Sequence, residues 1–233
     1  MVIKNGKIIR VYESDIKNGV LEIPGDVKEI GLGDLSFPGN EKIVTLTLNE
    51  GTTKIGKNAL SRLEKLKNVS IPLTVTEIGE HAFAGCKSLE SVTIPDNVTK
   101  LGKCAFMDCK SLKVAVLSKR LERINLGTFK NCESLKTIKI PDNVTSVGDF
   151  VFLGCKSLKS VTAPDAVLMK GEKEFRKKAS IDENVKIVSR KGVTEAYELE
   201  KLRKEVKALE EKLMKKYARI EELGGKAVTL KTK

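Results

Sequence analysis

Phe83, Phe106, Phe129, Phe152 and Phe175 stand 23 residues apart. Cys86, Cys109, Cys132 and Cys155 keep the same interval, as do Leu89, Leu112, Leu135 and Leu158. A single globular core has no use for one apolar pattern restated at fixed pitch. A stack of similar units does, because each unit alone cannot bury its apolar side and must borrow its neighbour's. The spacing therefore predicts a solenoid in which equivalent side chains lie over one another. Such a molecule works through a long displayed surface rather than an enclosed pocket.

Each unit has an internal grammar. Ser88 to Gly102 reads Ser-Leu-Glu-Ser-Val-Thr-Ile-Pro-Asp-Asn-Val-Thr-Lys-Leu-Gly and is followed by Cys104-Ala105-Phe106. The same text returns from Ser134 to Gly148 with small changes. Leu89, Val92 and Ile94 begin a strand alternation, with Ser91 and Thr93 on the other face. Pro95 ends it, and Asp96-Asn97 supplies turn chemistry. Val98 and Leu101 cover the next side of the coil, and Gly102 permits a backbone angle or a close approach barred to other residues. Phe106 fills the interior, and Cys109 with Leu112 closes the turn to the next strand. Aligned on that glycine, seven units fall at Gly31, Gly56, Gly79, Gly102, Asn125, Gly148 and Gly171. The first carries an insertion near Ser36-Phe37-Pro38-Gly39. The last lacks the cysteine and runs into Lys170-Gly171-Glu172-Lys173, which predicts a worn edge.

The pattern Leu-x-x-Val-x-Ile-Pro-x-x-Val-x-x-Ile-Gly-x-x-Ala-Phe-x-Gly-Cys resembles the BspA-like, or Treponema-type, leucine-rich repeat. Ile71 to Cys86 and Ile94 to Cys109 match it almost position by position, and the resemblance covers residues 20–188. It implies an α/β repeat solenoid, a right-handed superhelix with a parallel sheet on one face and turns or short helical pieces on the other. Many members are bacterial surface proteins implicated in adhesion and protein binding, and the family supplies no catalytic residues.

Five cysteines, four of them on the repeat, do not read as a disulfide framework, which belongs to small secreted chains without an adequate core. They are expected as buried, reduced thiols spaced about 4.8 Å apart along stacked rungs. Zinc is not expected, because ligands along a line cannot close a tetrahedron. No other metal or cofactor is implied. The opening Met1-Val2-Ile3-Lys4-Asn5-Gly6-Lys7 places charge where an export signal needs an apolar run. The expected location is cytoplasmic, with the cell surface or secretion as the alternative if a leader is missing. No apolar stretch is long enough to span a bilayer.

From Thr194 the period changes to 3.5. Leu199, Val206, Leu213 and Ile220 share one heptad position, and Leu202, Leu209, Lys216 and Leu223 the other. Acidic and basic residues are equal in number between Thr194 and Leu223, and Gly224-Gly225 supplies a stop. The expected organisation is a repeat domain over 1–193, an amphipathic, coiled-coil-like helix over 194–223 and a basic tail over 224–233. Two roles for the helix remain open at this point. It pairs with a second copy or a partner helix, or it folds back to cap the last repeat.

Three signals imitate chemistry. Gly51-Thr52-Thr53-Lys54-Ile55-Gly56-Lys57-Asn58 nearly spells a phosphate loop, yet it lacks the hydroxyl after the lysine that would hold magnesium. His81 occupies the repeat position that Cys104 holds in the next unit, and nothing nearby supplies an oriented base or an oxyanion site. Asn68-Val69-Ser70, Asn97-Val98-Thr99 and Asn143-Val144-Thr145 match glycosylation sequons but read as turns of the repeat.

The fifth unit departs from its neighbours. It carries Leu117-Ser118-Lys119-Arg120-Leu121 where they have Ile-Pro-Asp-Asn-Val, and Asn125 replaces the glycine. Its outward strand positions hold Val114 and Val116, where adjacent units hold Ser91 and Thr93 or Thr137 and Lys139. Lys110, Lys113, Lys119, Arg120, Arg123, Lys130, Lys136 and Lys139 surround them, with Glu122 and Glu133 opposing. The chain as a whole carries a formal charge of +12. An apolar centre rimmed by cations fits a protein partner with an acidic surface. Nucleic acid is disfavoured because no aromatic residue lines the strand face for base stacking. The expected function is a non-enzymatic protein-interaction module, with Lys113, Val114, Val116, Lys119, Arg120, Lys136 and Lys139 as its candidate site. The alternative is a bacterial adhesin-type structural protein whose copies assemble through the C-terminal helix.

Overall fold

The computed structural model describes residues 1–31, 40–189, 203–212 and 215–216. The insertion near Ser36 and the tail over 224–233 lie outside the described residues. The chain divides into two compact units, Met1–Arg190 and Lys191–Lys233.

The first unit begins with an antiparallel hairpin of β1 (Val2–Lys4) and β2 (Lys7–Arg10). Its turn passes through Asn5 and Gly6, both at positive φ, the backbone region that tight hairpins require. The chain then coils. One side carries β3 (Val20–Ile23), β5 (Thr45–Leu48), β7 (Asn68–Ser70), β9 (Ser91–Thr93), β11 (Val114–Val116), β13 (Thr137–Lys139), β15 (Ser160–Ala163) and β16 (Lys186–Ser189). Paired neighbours in this row run parallel and in register, so Val114 lies beside Ser91 and Val116 beside Thr93. The second side carries the two-residue strands β4 (Glu29–Ile30), β6 (Lys54–Ile55), β8 (Glu77–Ile78), β10 (Lys100–Leu101), β12 (Arg123–Ile124) and β14 (Ser146–Val147). β2 extends this second row through Lys7 and Glu29. The unit is a parallel-strand β-solenoid of about seven turns at 23-residue spacing.

Alternation decides which side chains enter the coil. Val92, Ala115 and Ile138 point inward and are buried, while the residues flanking each are exposed. The phenylalanines form a continuous internal column. Ring centroids of Phe83 and Phe106 are 5.1 Å apart, those of Phe106 and Phe129 5.7 Å, and those of Phe129 and Phe152 6.2 Å, with planes within 8° of parallel. Phe175 keeps the sequence period but not the column; it is buried from helix α2 (Glu172–Ala179).

The cysteines form a second buried column. Each Sγ donates to the carbonyl 26 residues earlier: Cys86 to Leu60, Cys109 to Phe83, Cys132 to Phe106 and Cys155 to Phe129, at 3.1–3.2 Å. A small, weakly donating side chain suits this position because it fills apolar space and still reaches the rung below. All the described cysteines are free thiols. Gly102 answers to close approach rather than to an unusual angle. A Cβ there would stand 2.3 Å from the Glu80 nitrogen on the preceding rung.

The third side of the coil has no strands, yet its turns are cross-linked. Phe83 N–H donates to Ala105, Phe106 to Thr128 and Phe129 to Val151. The bends fall at Asn58, His81, Cys104, Gly127 and Phe150, all with φ between 52° and 60°.

The C-terminal end is closed rather than worn. After β15 the chain forms the short helix α1 (Asp165–Leu168) and then α2. The N–H groups of Phe150 and Phe152 donate to the carbonyls of Lys178 and Ala179, so the end of α2 takes the place of another turn. β16 then pairs with β15 through four residues. Such closing elements satisfy the backbone groups that a bare terminal rung would leave open.

In the second unit, residues 203–212 and 215–216 are helical. Val206 and Leu209 lie there, both exposed. Leu199, Leu202, Leu213 and Ile220 fall outside the described residues. No helix among the described residues is long and apolar enough to cross a membrane.

Candidate functional site

The repeat builds one flat polar face and then interrupts it. Outward positions on the first row are Val20 and Glu22, Thr45 and Thr47, Asn68 and Ser70, Ser91 and Thr93, then Val114 and Val116, then Thr137 and Lys139, Ser160 and Thr162, and at the closing strand Lys186 and Val188. Val114 is 53% exposed and Val116 50%. Strand geometry forces these two outward because Ala115 between them points into the core.

Beside the valines, a shallow depression of about 310 Å³ is lined by Asn68, Ser70, Leu73, Ser91, Thr93 and Pro95, among others. Leu73 is the most exposed of these apolar groups at 64%. Leu73 belongs to the corner after β7 and was missed in the sequence. Its signal was there: the same repeat position holds Asp96, Lys119 and Asp142 in later units.

The eight cations grouped around the fifth unit do not form one patch. Lys113, Lys136 and Lys139 belong to the sheet row, and Lys119 with Arg120 to the corner after β11. Arg123 lies on β12, where its Nε donates to Ser146 Oγ at 3.0 Å. Lys130 sits on the turn side, its carbonyl accepting from Asp108. Several cations are already matched on neighbouring rungs. Lys113 Nζ lies 2.8 Å from Glu90, Lys119 Nζ 3.2 Å from Asp96, and Lys110 Nζ 3.3 Å from Glu133. These partners leave a mark on the acids. The hydrogen bond from Lys113 holds the Glu90 carboxyl below its ordinary range, those from Lys156 and Lys110 do so for Glu133, and the Lys119 backbone does so for Asp96. Of the three sheet-row cations in this group, Lys136 and Lys139 have no such ion pair among the described residues.

The corner at Lys119 and Arg120 is rigidly placed. Ser118 replaces the proline of other units and is fully buried. Its hydroxyl donates to Val98 O at 2.7 Å and accepts from Arg120 N–H at 3.1 Å. Lys119 N–H donates to Asp96 Oδ1 from below, and Asn143 Nδ2 donates to Lys119 O from above. The unit's other replacements are satisfied in the same way. Asn125 Nδ2 donates to Leu101 O at 2.6 Å, and Thr128 Oγ1 to Asn125 O at 2.7 Å.

A second apolar group lies on the turn side: Leu126, Phe150 and Leu153, exposed by 40%, 51% and 40%. Phe150 takes the left-handed conformation at φ 56°, rare for a bulky residue. The sequence pointed elsewhere because Phe150 lies off the phenylalanine period.

The imitations of chemistry resolve into structure. Lys54 of the near phosphate loop lies between Glu29 at 3.7 Å and Glu77 at 3.5 Å, and the chain continues as turns, not as a helix. His81 and Cys104 are equivalent left-handed bends. Burial pushes the Cys104 thiol up, away from nucleophilic reactivity. Asn97 and Asn143 spend Nδ2 on the carbonyls of Leu73 and Lys119. Among the described residues, no group of three or more histidine, cysteine or carboxylate side chains could hold a metal ion.

A stack of parallel strands at 23-residue spacing defines a repeat protein of the leucine-rich-repeat solenoid class. The BspA type Leucine rich repeat region matches residues 12–126 and 106–195, in six copies. The chain belongs to that family. A leucine-rich repeat protein from Bacteroides ovatus is 28% identical, with a TM-score of 0.50, over 68% of this chain and 48% of its own. The Leucine Rich Repeat protein of T. pallidum is also 28% identical, with a TM-score of 0.54, over 62% of this chain and 68% of its own. The chain thus spans about half the length of the Bacteroides protein. No curated protein matches it.

Proposed function

We propose that the solenoid is a non-enzymatic protein-interaction module that captures an acidic protein surface on the sheet row around β11. The observation that carries this reading is the pair of half-exposed valines on β11, flanked along the row on β7, β9, β13 and β15 by hydroxyl, amide and cationic groups. Exposed apolar groups at the centre of a polar rim are the usual composition of a docking surface. Lys136 and Lys139 supply the rim charge, and Leu73 with the depression beside it extends the apolar contact. Stacked strands hold these groups at fixed pitch before binding, so little conformational entropy is lost on docking. Lys119 and Arg120, pinned by Ser118 and Asp96, form the margin at the next corner.

The test compares the wild-type chain with the V114S/V116S/K136E/K139E variant as baits in cell extract. The variant is expected to lose the captured protein while its melting temperature stays within about 2 °C of wild type, since surface changes of this kind cost little. Equal capture by both baits at equal stability removes the site.

A further inference from the structure

The helix of the second unit presents an unpartnered apolar stripe. All side chains over 203–212 are exposed, including Val206 at 52% and Leu209 at 64%. These are successive positions of the heptad seam, and an apolar seam on an exposed helix needs cover.

We propose that a second copy of this helix covers it, in antiparallel orientation. Charge complementarity along the seam selects both the occupant and its direction. In the antiparallel register that sets Val206 against Leu209 of the other copy, the flanking positions bring Glu205 to Lys212 and Arg203 to Glu210. Both pairs are opposite in sign, and two-fold symmetry repeats each of them. Sliding the helices by one heptad in either direction places like charges together: Arg203 on Arg203 with Glu205 on Glu205, or Glu210 on Glu210 with Lys212 on Lys212. A parallel pair is worse. It sets Glu205 beside Glu210 and buries Lys216 of one seam against Lys216 of the other. In the antiparallel pair Lys216 reaches the end of the seam, where its stem packs and its ammonium stays in water.

The consequence is bivalency. One assembly carries two repeat stacks, so a partner surface displayed in several copies is held by avidity. The helix pairing does not depend on the sheet-row reading, and its test reads association alone.

Sedimentation equilibrium of the full chain at low ionic strength provides that test. The wild-type chain is expected to dimerise. E205K, which sets a second cation against Lys212, is expected to weaken the dimer about tenfold, since two exposed pairs turn repulsive. E205K/K212E restores opposite signs and is expected to recover the wild-type constant to within about threefold. A chain that stays monomeric at every concentration, as when the helix docks on its own repeats, overturns the proposal. So does a dimer that E205K leaves unchanged. A dimer that E205K tightens is parallel, because that change relieves the Glu205–Glu210 clash, and it overturns the antiparallel pairing.

Discussion

The fourth and fifth turns of the solenoid are neighbours in the stack and are held by different means. The fourth, with Pro95, Gly102, Ala105 and Phe106, follows the apolar pattern and relies on side-chain packing and close backbone approach. The fifth keeps Phe129 and Cys132 in their columns but exchanges proline, glycine and alanine for Ser118, Asn125 and Thr128. Ser118 and Thr128 are fully buried, and all three direct a hydrogen bond to backbone. The repeat therefore tolerates polar replacements wherever a side chain can satisfy a carbonyl within reach. That tolerance separates the invariant interior from the variable exterior, and the outward valines sit on the turn that uses it most.

Removing what the two turns share has the largest effect. Phe106→Ala takes a fully buried ring from between two stacked neighbours and is expected to cost roughly 3–5 kcal/mol in urea unfolding. Phe152→Ala, at the end of the column with one stacked partner, is expected to cost less.

The cysteine column is also shared, and alkali probes it. Burial pushes Cys86 and Cys155 up to about 12, and raises Cys109 and Cys132 well above the ordinary value of 9.0. An acid whose folded pKa is raised keeps its proton in the folded state after the unfolded chain has lost it. Stability is therefore intact below pH 9 and falls above it, by roughly 1 kcal/mol per thiol between pH 9 and 10. Cys86 and Cys155 together should lose about 2 kcal/mol over that step, and Cys109 and Cys132 add to the loss in the same direction. Chemical denaturation at the two pH values measures this, and a flat profile would show that the thiols are not buried.

The difference between the turns is sharpened by Ser118→Ala. The change leaves the Val98 carbonyl and the Arg120 amide without their partner and is expected to cost about 1–2 kcal/mol. The equivalent change on the fourth turn, Pro95→Ala, breaks no hydrogen bond and should cost less.

The smallest effect belongs to the ion pairs between rungs. Glu90, Glu133 and Asp96 have lowered folded pKa values, so they stabilise above the ordinary values of 4.5 and 3.8 and lose that support as pH falls. Glu90 and Asp96 are exposed and Glu133 is half-buried, and all three are screened by salt. The expected result is a shallow acid limb below about pH 4.5 that flattens in high salt.

The interior was legible in the sequence because every unit repeats it. The 23-residue interval of Phe83 to Phe152 and of Cys86 to Cys155 is the vertical register of two columns, and Pro95 and Gly102 marked where strands stop. What escaped lies where pattern gives way to spatial neighbours. Glu90 and Asp96 were left out of the charge grouping around β11, because their lysine partners are near in space and a whole unit away in sequence. The bend residues Asn58, His81, Cys104, Gly127 and Phe150 were aligned by the repeat but share no side-chain chemistry; backbone conformation unites them. The closure by α1, α2 and β16 was invisible for a similar reason. The apolar period fades at Lys170, and only Phe175 continues it, from a helix. On the site, Val114 and Val116 were legible from alternation alone. Leu73 needed the alignment of turn positions, and the separation of Lys113 from Arg123 and Lys130 needed the coil's geometry.

Lysine footprinting of the captured complex tests most directly whether the β11 row is the recognised surface. Lys136 and Lys139 are expected to be shielded from acetylation by the bound partner, while Lys17 and Lys42 at the far end of the stack react as in the free chain. Shielding that spares Lys136 and Lys139, or that is equal along the whole stack, would contradict that assignment.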